Sequence, residues 1–295
     1  MSRTHPPTLL TLATRTILEE GLFARGDRVL VAVSGGPDSM ALLDVLAHLQ
    51  GKVKHELVAH GVDHGLRPEA KTELDLAERH AKALGVPFAR SLLTVPRGGN
   101  LQARAREARY EALRTAARAQ GAGLLATAHH ADDRAETVLL RLLRGAGPTG
   151  LAVLPPRDDD LIRPFVRARR ADIEAHIARH GIPFANDPSN ADPRYARTRV
   201  RRELIPLLQQ LSPNIVGHLC ALADQLRAQS MLGSRPDAPH MYALPRATRE
   251  ALATLARERS KKARVSLPGG LIATYDRKKG PYRNRGPNGG QPRGG

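Results

Sequence analysis

The six residues Ser34-Gly35-Gly36-Pro37-Asp38-Ser39 directly follow the apolar run RVLVAV at 28–33. A glycine turn between a strand and a helix lines up backbone N–H groups at the positive end of the helix, which is an anion site whose usual guest is phosphate. Gly35 and Gly36 let the main chain approach such a guest with no Cβ in the way, and Ser34 and Ser39 add hydroxyl donors. No Gly-Lys-Ser/Thr closes the turn and the GxGxxG spacing is absent, so neither the Walker loop nor the dinucleotide fingerprint applies. A helix cap alone accounts for Asp38 but not for two glycines and two serines around it. A second cluster, HHADDRAET at 129–137, sets Asp133 three residues before Glu136. That spacing is a capping box, with Asp133 expected to open a helix after a strand and to reach the sheet edge where Asp38 stands. Two carboxylates facing a triphosphate would suit Mg²⁺, which takes oxygen ligands and keeps several waters. His129 and His130 either touch a nucleotide or satisfy strand-end hydrogen bonds. No cysteine or third histidine is spaced for zinc. Arginines recur in two further places: Arg104, Arg106 and Arg109 on one helical pattern, and Arg197, Arg199, Arg201 and Arg202 within six residues. Arg106 and Arg109, three apart, can face one anion.

These residues need a scaffold. Four β-leaning runs, at 28–33, 56–62, 88–93 and 123–128, alternate with helical patterns that begin near Asp38, Pro68 and Leu101. Alternation of this kind implies βαβ units and a doubly wound parallel sheet, whose ligands sit at the carboxyl ends of the strands. The texture changes after about residue 160, with helical pieces and polar turns to 211. The expected division is a first domain over 1–211, a smaller, mainly helical second domain over 212–276, and a disordered tail over 277–295. The tail carries six Lys/Arg, no acid, and much Gly, Pro and Asn. The chain of 295 residues has 46 Lys+Arg against 29 Asp+Glu, a formal charge of +17, which argues for a polyanionic partner such as nucleic acid. With no Trp, four Phe and five Tyr, phosphate contacts are expected over aromatic stacking. The single cysteine, Cys220, excludes an internal disulfide or a CxxC pair. No membrane-spanning or secretory pattern is read, and a cytoplasmic location is expected.

SGGPDS matches the SGGxDS loop of the N-type ATP pyrophosphatases (PP-loop enzymes of the adenine-nucleotide α-hydrolase-like fold). HGVDHGLRPEA at 60–70, TAHHADDRAETVLLRLLRGAGPTGL at 127–151 and IPFANDPSNADPRYARTRVRREL at 182–204 follow in the order and spacing of the bacterial tRNA(Ile)-lysidine synthetases. The chain resembles that family over about 28–204, and VSLPGG with the helices before it resembles the family's next, smaller domain. The resemblance implies ATP as co-substrate, bound by Ser34, Gly35, Gly36, Pro37, Asp38, Ser39, His64 and His129. It implies Mg²⁺ held by Asp38 and Asp133, and catalytic roles for Asp38, Asp133, Arg109 and Arg199. Asp63, His64 and Arg67 would surround the nucleotide or the amino acid. The implied partners are a tRNA(Ile) with a CAU anticodon and free L-lysine, with no membrane, and a homodimer is left open. The implied reaction adenylates the wobble cytidine and displaces AMP with lysine. A thiolase of the same superfamily, an amide-forming synthetase, and a non-catalytic RNA-binding protein on the same fold are the alternatives. Gln102, Arg134, Thr198 and Ala70 stand where the family generally has Glu, Gln, Asn and often Ser. The larger C-terminal RNA-binding domain of many longer members has no counterpart in the resemblance, so the short basic second domain and the tail are expected to take more of the tRNA holding.

Overall fold

The computed structural model describes residues 7–63, 65, 69–93, 101–185, 194–232, 264–266, 272–276 and 280–285. At 101–103, 231–232 and in the last three segments only the backbone is described. The chain divides into two compact units, one of Met1–Leu143 with Val153–Asp224, the other of Arg144–Ala152 with Gln225–Gly295.

The first unit is built on strands β1 (Arg28–Val33), β2 (Glu56–Asp63), β3 (Phe88–Leu92), β4 (Leu124–Ala126), β5 (Arg157–Asp158) and β6 (Leu161–Ile162), in the order β3-β2-β1-β4-β6-β5. All neighbours are parallel except β5 and β6. The four apolar runs expected to be strands are β1 to β4. The two-residue strands β5 and β6 were not expected: β5 lies in the polar PPRDDD stretch that ends at 160, and β6 opens a stretch that reads as helix and turn.

β1 is central, and its side chains alternate between two cores as a strand's must. Val29, Val31 and Val33 join α1 (Leu9–Glu19), α2 (Pro37–Val53) and α7 (Arg170–His180), through residues such as Ile17, Leu42, Leu46 and Ile173. Leu30 faces the other way, onto Leu113 and Ala117 of α4 (Leu101–Ala119). Helices therefore cover both faces, with α3 (Glu69–Ala83) joining the first layer through Ala77 and Ala81. α1 was not anticipated from the sequence. The Thr8 side chain caps it by accepting from the Thr11 N–H. β2 approaches α3 so closely at Gly61 that a Cβ there would lie 2.5 Å from Leu74 Cδ2.

The rest of the unit is α5 (Ala131–Leu143) and a helix that starts as α8 (Ala196–Arg199), widens into a π-helical turn at Val200–Leu204 and ends as α9 (Ile205–Leu211). α10 (Ile215–Leu232) then continues past Asp224, beyond the domain limit expected at 211.

The second unit contains a short helix, α6 (Pro148–Leu151), and an antiparallel sheet of β7 (Arg264–Ser266), β8 (Ile272–Asp276) and β9 (Gly280–Arg285). β7 and β8 fall on VSLPGGLIATY at 265–275, which reads as strand in the sequence after the helical pattern that runs to about 259. One expectation changes. Residues 280–285, counted in a disordered tail, form β9 and pair with β8 from Ile272↔Arg285 to Asp276↔Gly280. Composition weighed charge and glycine there, whereas the ladder uses main-chain groups that every residue but proline supplies in full. The other residues of that tail lie outside the described ones. Among the described residues no helix is long and apolar enough to cross a membrane.

Buried histidines give the first unit a pH-dependent stability. His55, whose ring packs 4.7 Å from Phe23, His60, 2.9 Å from Ser91 Oγ, and His80 are all pushed below the ordinary histidine value, chiefly by burial. Their neutral forms are favoured in the folded state, so the unfolded chain binds more protons in acid. Their contribution is complete above pH 6.5 and is lost as the pH falls below it. Asp44 acts lower on the scale. Burial alone would raise it, but His176 at 2.9 Å and nearby His48 and His80 outweigh this and lower it. Its contribution persists until pH falls toward its depressed value. The urea midpoint is therefore expected to drop between pH 7.5 and 5.5, with a shallower slope in His55→Phe. A midpoint independent of pH over that range would show that these imidazoles are not held neutral.

Candidate active site at the carboxyl edge of the sheet

β1 ends at Val33 and α2 begins at Pro37, so the glycine turn lies at the carboxyl edge of the central strand. Proline at the first helical position needs no N–H there, and Gly36 is the N-cap. Gly35 has φ +82°, and a Cβ on it would lie 2.6 Å from the backbone oxygen of Glu73, so only glycine fits between the turn and α3. The turn is cross-braced by its serines. Ser39 Oγ donates to Gly36 O at 3.0 Å and accepts from the Ser34 N–H at 3.1 Å, and the two hydroxyls are 3.1 Å apart. The Ala185 N–H donates to Gly35 O at 2.9 Å and fixes the outer side. Asp38 then lies in the first turn of α2, where N–H groups have no intrahelical acceptor.

α5 brings the second set of acids. It begins at Ala131, not at Asp133 as the capping-box spacing suggested. Asp133 lies inside the first turn, and its Oδ2 accepts from the His130 N–H at 3.2 Å. Glu136 is no cap either. It is fully buried, accepting from Arg197 Nε at 2.8 Å and from Arg201 Nε at 2.5 Å. The box fails because two arginines claim the glutamate and the aspartate reaches back one turn.

His130, also fully buried, gathers the acids around one ring. Its Nε2 is 3.8 Å from Asp38 Oδ2 and 3.4 Å from Asp133 Oδ2, and its Nδ1 is 3.6 Å from Asp132 Oδ2. Burial alone would lower its pKa, but the three carboxylates outweigh that and raise it. Asp38 is raised, first by burial and further by Asp133. Asp133 is lowered, because His130, Arg197 and His129 outweigh its burial. Asp132 is held far below the usual carboxylate range. Its burial is overcome by His130, by the Arg169 side chain at 2.9 Å and by the Arg170 N–H at 2.8 Å.

The arginines sort by helical phase. Arg197 Nη2 donates to Asp133 Oδ1 at 3.2 Å and Arg201 Nη2 lies 3.6 Å from the same oxygen, four residues apart on one face. Arg199, expected to be catalytic, points away. It pairs with Glu203 at 3.1 Å and its side chain is 65% exposed. The π-helical turn begins at Val200, between the two inward arginines, and includes Arg201; it is the kind of irregularity found at functional sites. Arg109 and Arg106 do not meet the acids. Arg106 donates to Tyr110 Oη at 3.2 Å, and both guanidinium groups lie over the Tyr110 ring, at 5.0 and 5.7 Å. His129 lies by this group, its Nδ1 3.0 Å from Thr127 Oγ1. It is pushed down to about 3 by burial, with Arg106, Arg163 and Arg197 adding to the effect over the pull of Asp133. Asp63 closes its own turn by accepting from the Gly65 N–H at 2.8 Å. His64, Arg67 and the side chain of Gln102 lie outside the described residues. Thr198 is buried, and its N–H donates to Tyr195 O at 2.9 Å.

Sequence reasoning did not single out Asp132, Arg169 and Arg170. The double aspartate was the available signal, since one acid of such a pair can serve a ligand while the other holds the scaffold.

A profile for the PP-loop domain matches residues 10–208. The chain is 40% identical over 280 residues to a tRNA(Ile)-lysidine synthase of Methylobacterium nodulans, covering 84% of this chain and 81% of that one. It belongs to the tRNA(Ile)-lysidine synthase family of PP-loop proteins. Another family member, from Thermotoga sp. (strain RQ2), is 38% identical over 199 residues, covering 66% of this chain and 48% of the relative. Against that relative and others like it, the chain spans about half their length. The fold is also that of the U34-tRNA thiolase NcsA from Methanococcus maripaludis, with a TM-score of 0.62 at 18% identity over 74% of this chain and 78% of that one.

Within this lysidine synthase family member, Glu136 is the anchor whose loss is easiest to measure. Glu136→Ala leaves two arginine charges without their shared carboxylate and is expected to cost about 3 kcal/mol of stability. Urea denaturation checks this, and a loss below about 1 kcal/mol, the size of a surface pair, would show that the two half-exposed arginines do not depend on the buried Glu136.

Proposed function

We propose that the chain makes lysidine, by ATP-dependent joining of free L-lysine to C2 of the wobble cytidine in a tRNA(Ile) with a CAU anticodon. The observation that supports this best is the meeting of Asp38, at the start of the helix behind the serine-braced glycine turn, with Asp133 on a single buried imidazole. RNA binding alone needs neither the turn nor the paired acids.

In this reading the β- and γ-phosphates of ATP lie against Ser34–Ser39. The C2 oxygen of cytidine attacks the α-phosphate, the bond to the β-phosphate oxygen breaks, and pyrophosphate leaves. The ε-amine of lysine then attacks C2, and AMP departs with the former C2 oxygen. The protein contributes position and charge, which between them govern the rate of transfer at phosphorus. The first-turn N–H groups of α2 orient the leaving pyrophosphate, the Asp132 charge faces His130 from the side opposite the other two acids, and Arg197 and Arg201 keep Asp133 ionised and aimed.

Asp38 and Asp133 also fit Mg²⁺. Burial raises Asp38 where a cation would draw it back, and both carboxylates lie within 3.8 Å of one imidazole nitrogen, which brings them to the same edge of the sheet. Among the described residues no three His, Cys, Asp or Glu side chains would hold a metal by themselves, which suits an ion completed by phosphate oxygens and water. When bound, Mg²⁺ would neutralise charge on the triphosphate and the departing pyrophosphate.

The thiolase alternative lacks its chemistry. The one cysteine, Cys220, is half-buried, donates to Ala131 O at 3.4 Å, and is pushed up to about 11 by burial, so it is a thiol at neutral pH.

The test is an incubation of the full chain with labelled lysine, ATP, Mg²⁺ and tRNA(Ile) bearing CAU. Lysine should enter the tRNA with one AMP released per lysine. Asp38→Asn and Asp133→Asn should each lower the rate at least about a hundredfold with tRNA affinity nearly unchanged. Tight tRNA binding with no lysine transfer would leave a non-catalytic RNA-binding protein, and wild-type rates in both variants would remove the carboxylate pair from the chemistry.

A further inference from the structure

We infer that Arg170 grips the pyrophosphate end of the bound nucleotide, an inference that rests on the ATP reading above. Arg170 is the first residue of α7, and its own N–H is fixed by Asp132 Oδ2 at 2.8 Å. The backbone position is therefore set by the side chain whose carboxylate also lies 3.6 Å from His130 Nδ1. Its Nη2 lies 3.3 Å from His130 Nε2, the nitrogen that faces both Asp38 and Asp133. The guanidinium thus stands at the rim of the carboxylate pair, close enough for its charge to act on Asp38 at the start of α2.

Its neighbours are already matched. Arg169 is paired with Asp132, Arg197 with Asp133 and Glu136, and Arg201 with Glu136. Of these four arginines Arg170 alone, among the described residues, makes no ion pair with a carboxylate, and its hydrogen-bonded neighbour is an imidazole. A guanidinium presents five N–H donors in a rigid fork suited to phosphate. One of them is directed at His130, which leaves a fixed, half-buried cation with most of its donors unspoken for. The ligand such a group wants is an anion with several oxygens, and the glycine turn that begins α2 is built to hold one. The adenosine and its α-phosphate would depend on it less than the β- and γ-phosphates do.

The alternative is a scaffold role, in which Arg170 only props His130. Calorimetric titration of the full chain with inorganic pyrophosphate, ATP and AMP separates the two, using wild type, Arg170→Ala and Arg170→Lys. Pyrophosphate and ATP are expected to bind Arg170→Ala about ten- to a hundredfold more weakly, while AMP changes by less than about twofold. Arg170→Lys, which keeps the charge but not the fork, should recover part of the loss and melt within a few degrees of wild type. Unchanged pyrophosphate affinity in Arg170→Ala would overturn the inference, as would an equal loss for AMP and pyrophosphate in both variants. A wild-type protein with no affinity for ATP would instead remove the reading on which the inference stands.

Discussion

Four carboxylates, Asp38, Asp132, Asp133 and Glu136, crowd the carboxyl edge of one sheet, and the site depends on keeping them charged side by side. Each is wholly or partly withdrawn from water, and like charges at short range raise one another's pKa. Three of them are compensated by cations that arrive from elsewhere in the chain: Arg169 from the start of α7, and Arg197 and Arg201 from the helix that begins at Ala196. Asp38 is the exception. It has His130 at 3.8 Å and, among the described residues, no hydrogen-bonded arginine, and its pKa is raised. Asp38 thus stands beside the glycine turn with cationic charge near it but, among the described residues, no arginine bonded to it.

The same ion pairs are the fasteners of the fold. Asp132 holds α7 to α5 through both a side chain and a backbone N–H, and the chain beyond α7 leads to Ala185, whose N–H closes on Gly35. Glu136 joins α5 to the 196–211 helix through two arginines. A buried pair of this kind is weak evidence for stability, because desolvation offsets most of its attraction. What it supplies is geometry. Hydrophobic contact tolerates a shift of an ångström, whereas a carboxylate that accepts from a guanidinium and a main-chain N–H at once does not.

How much of this could be read from the sequence followed from whether the cause was local. The glycine turn was legible because Gly35 is demanded by its own φ and by the nearness of α3. β1 to β4 were legible because buried parallel strands are nearly continuous apolar runs. β5 and β6 were not, since two residues carry no period. The inward pair Arg197 and Arg201 and the outward Arg199 differ by half a helical turn, which is plain once the helix is known to begin at Ala196 and invisible in a row of four arginines. The cluster of Asp44 with His48, His80 and His176 draws on three helices far apart in the chain, and no motif announces it.

The departures from the family pattern bear on the same constraint. Arg134 stands where the family generally has Gln, on the buried side of α5, and only 1% of its side chain is exposed. A glutamine there could be satisfied by neutral acceptors. An arginine cannot, because a guanidinium withdrawn from water requires a matching charge. The chain provides it: Arg134 Nη2 donates to Asp224 Oδ1 at 2.6 Å, and its Nε donates to Val153 O at 3.0 Å. Asp224 lies on α10, and one turn earlier on that helix Cys220 donates to the carbonyl of Ala131, the first residue of α5. The substitution therefore adds a charged tie between α10 and the helix that carries Asp132, Asp133 and Glu136, so α10 helps set the position of the acids at the carboxyl edge of the sheet.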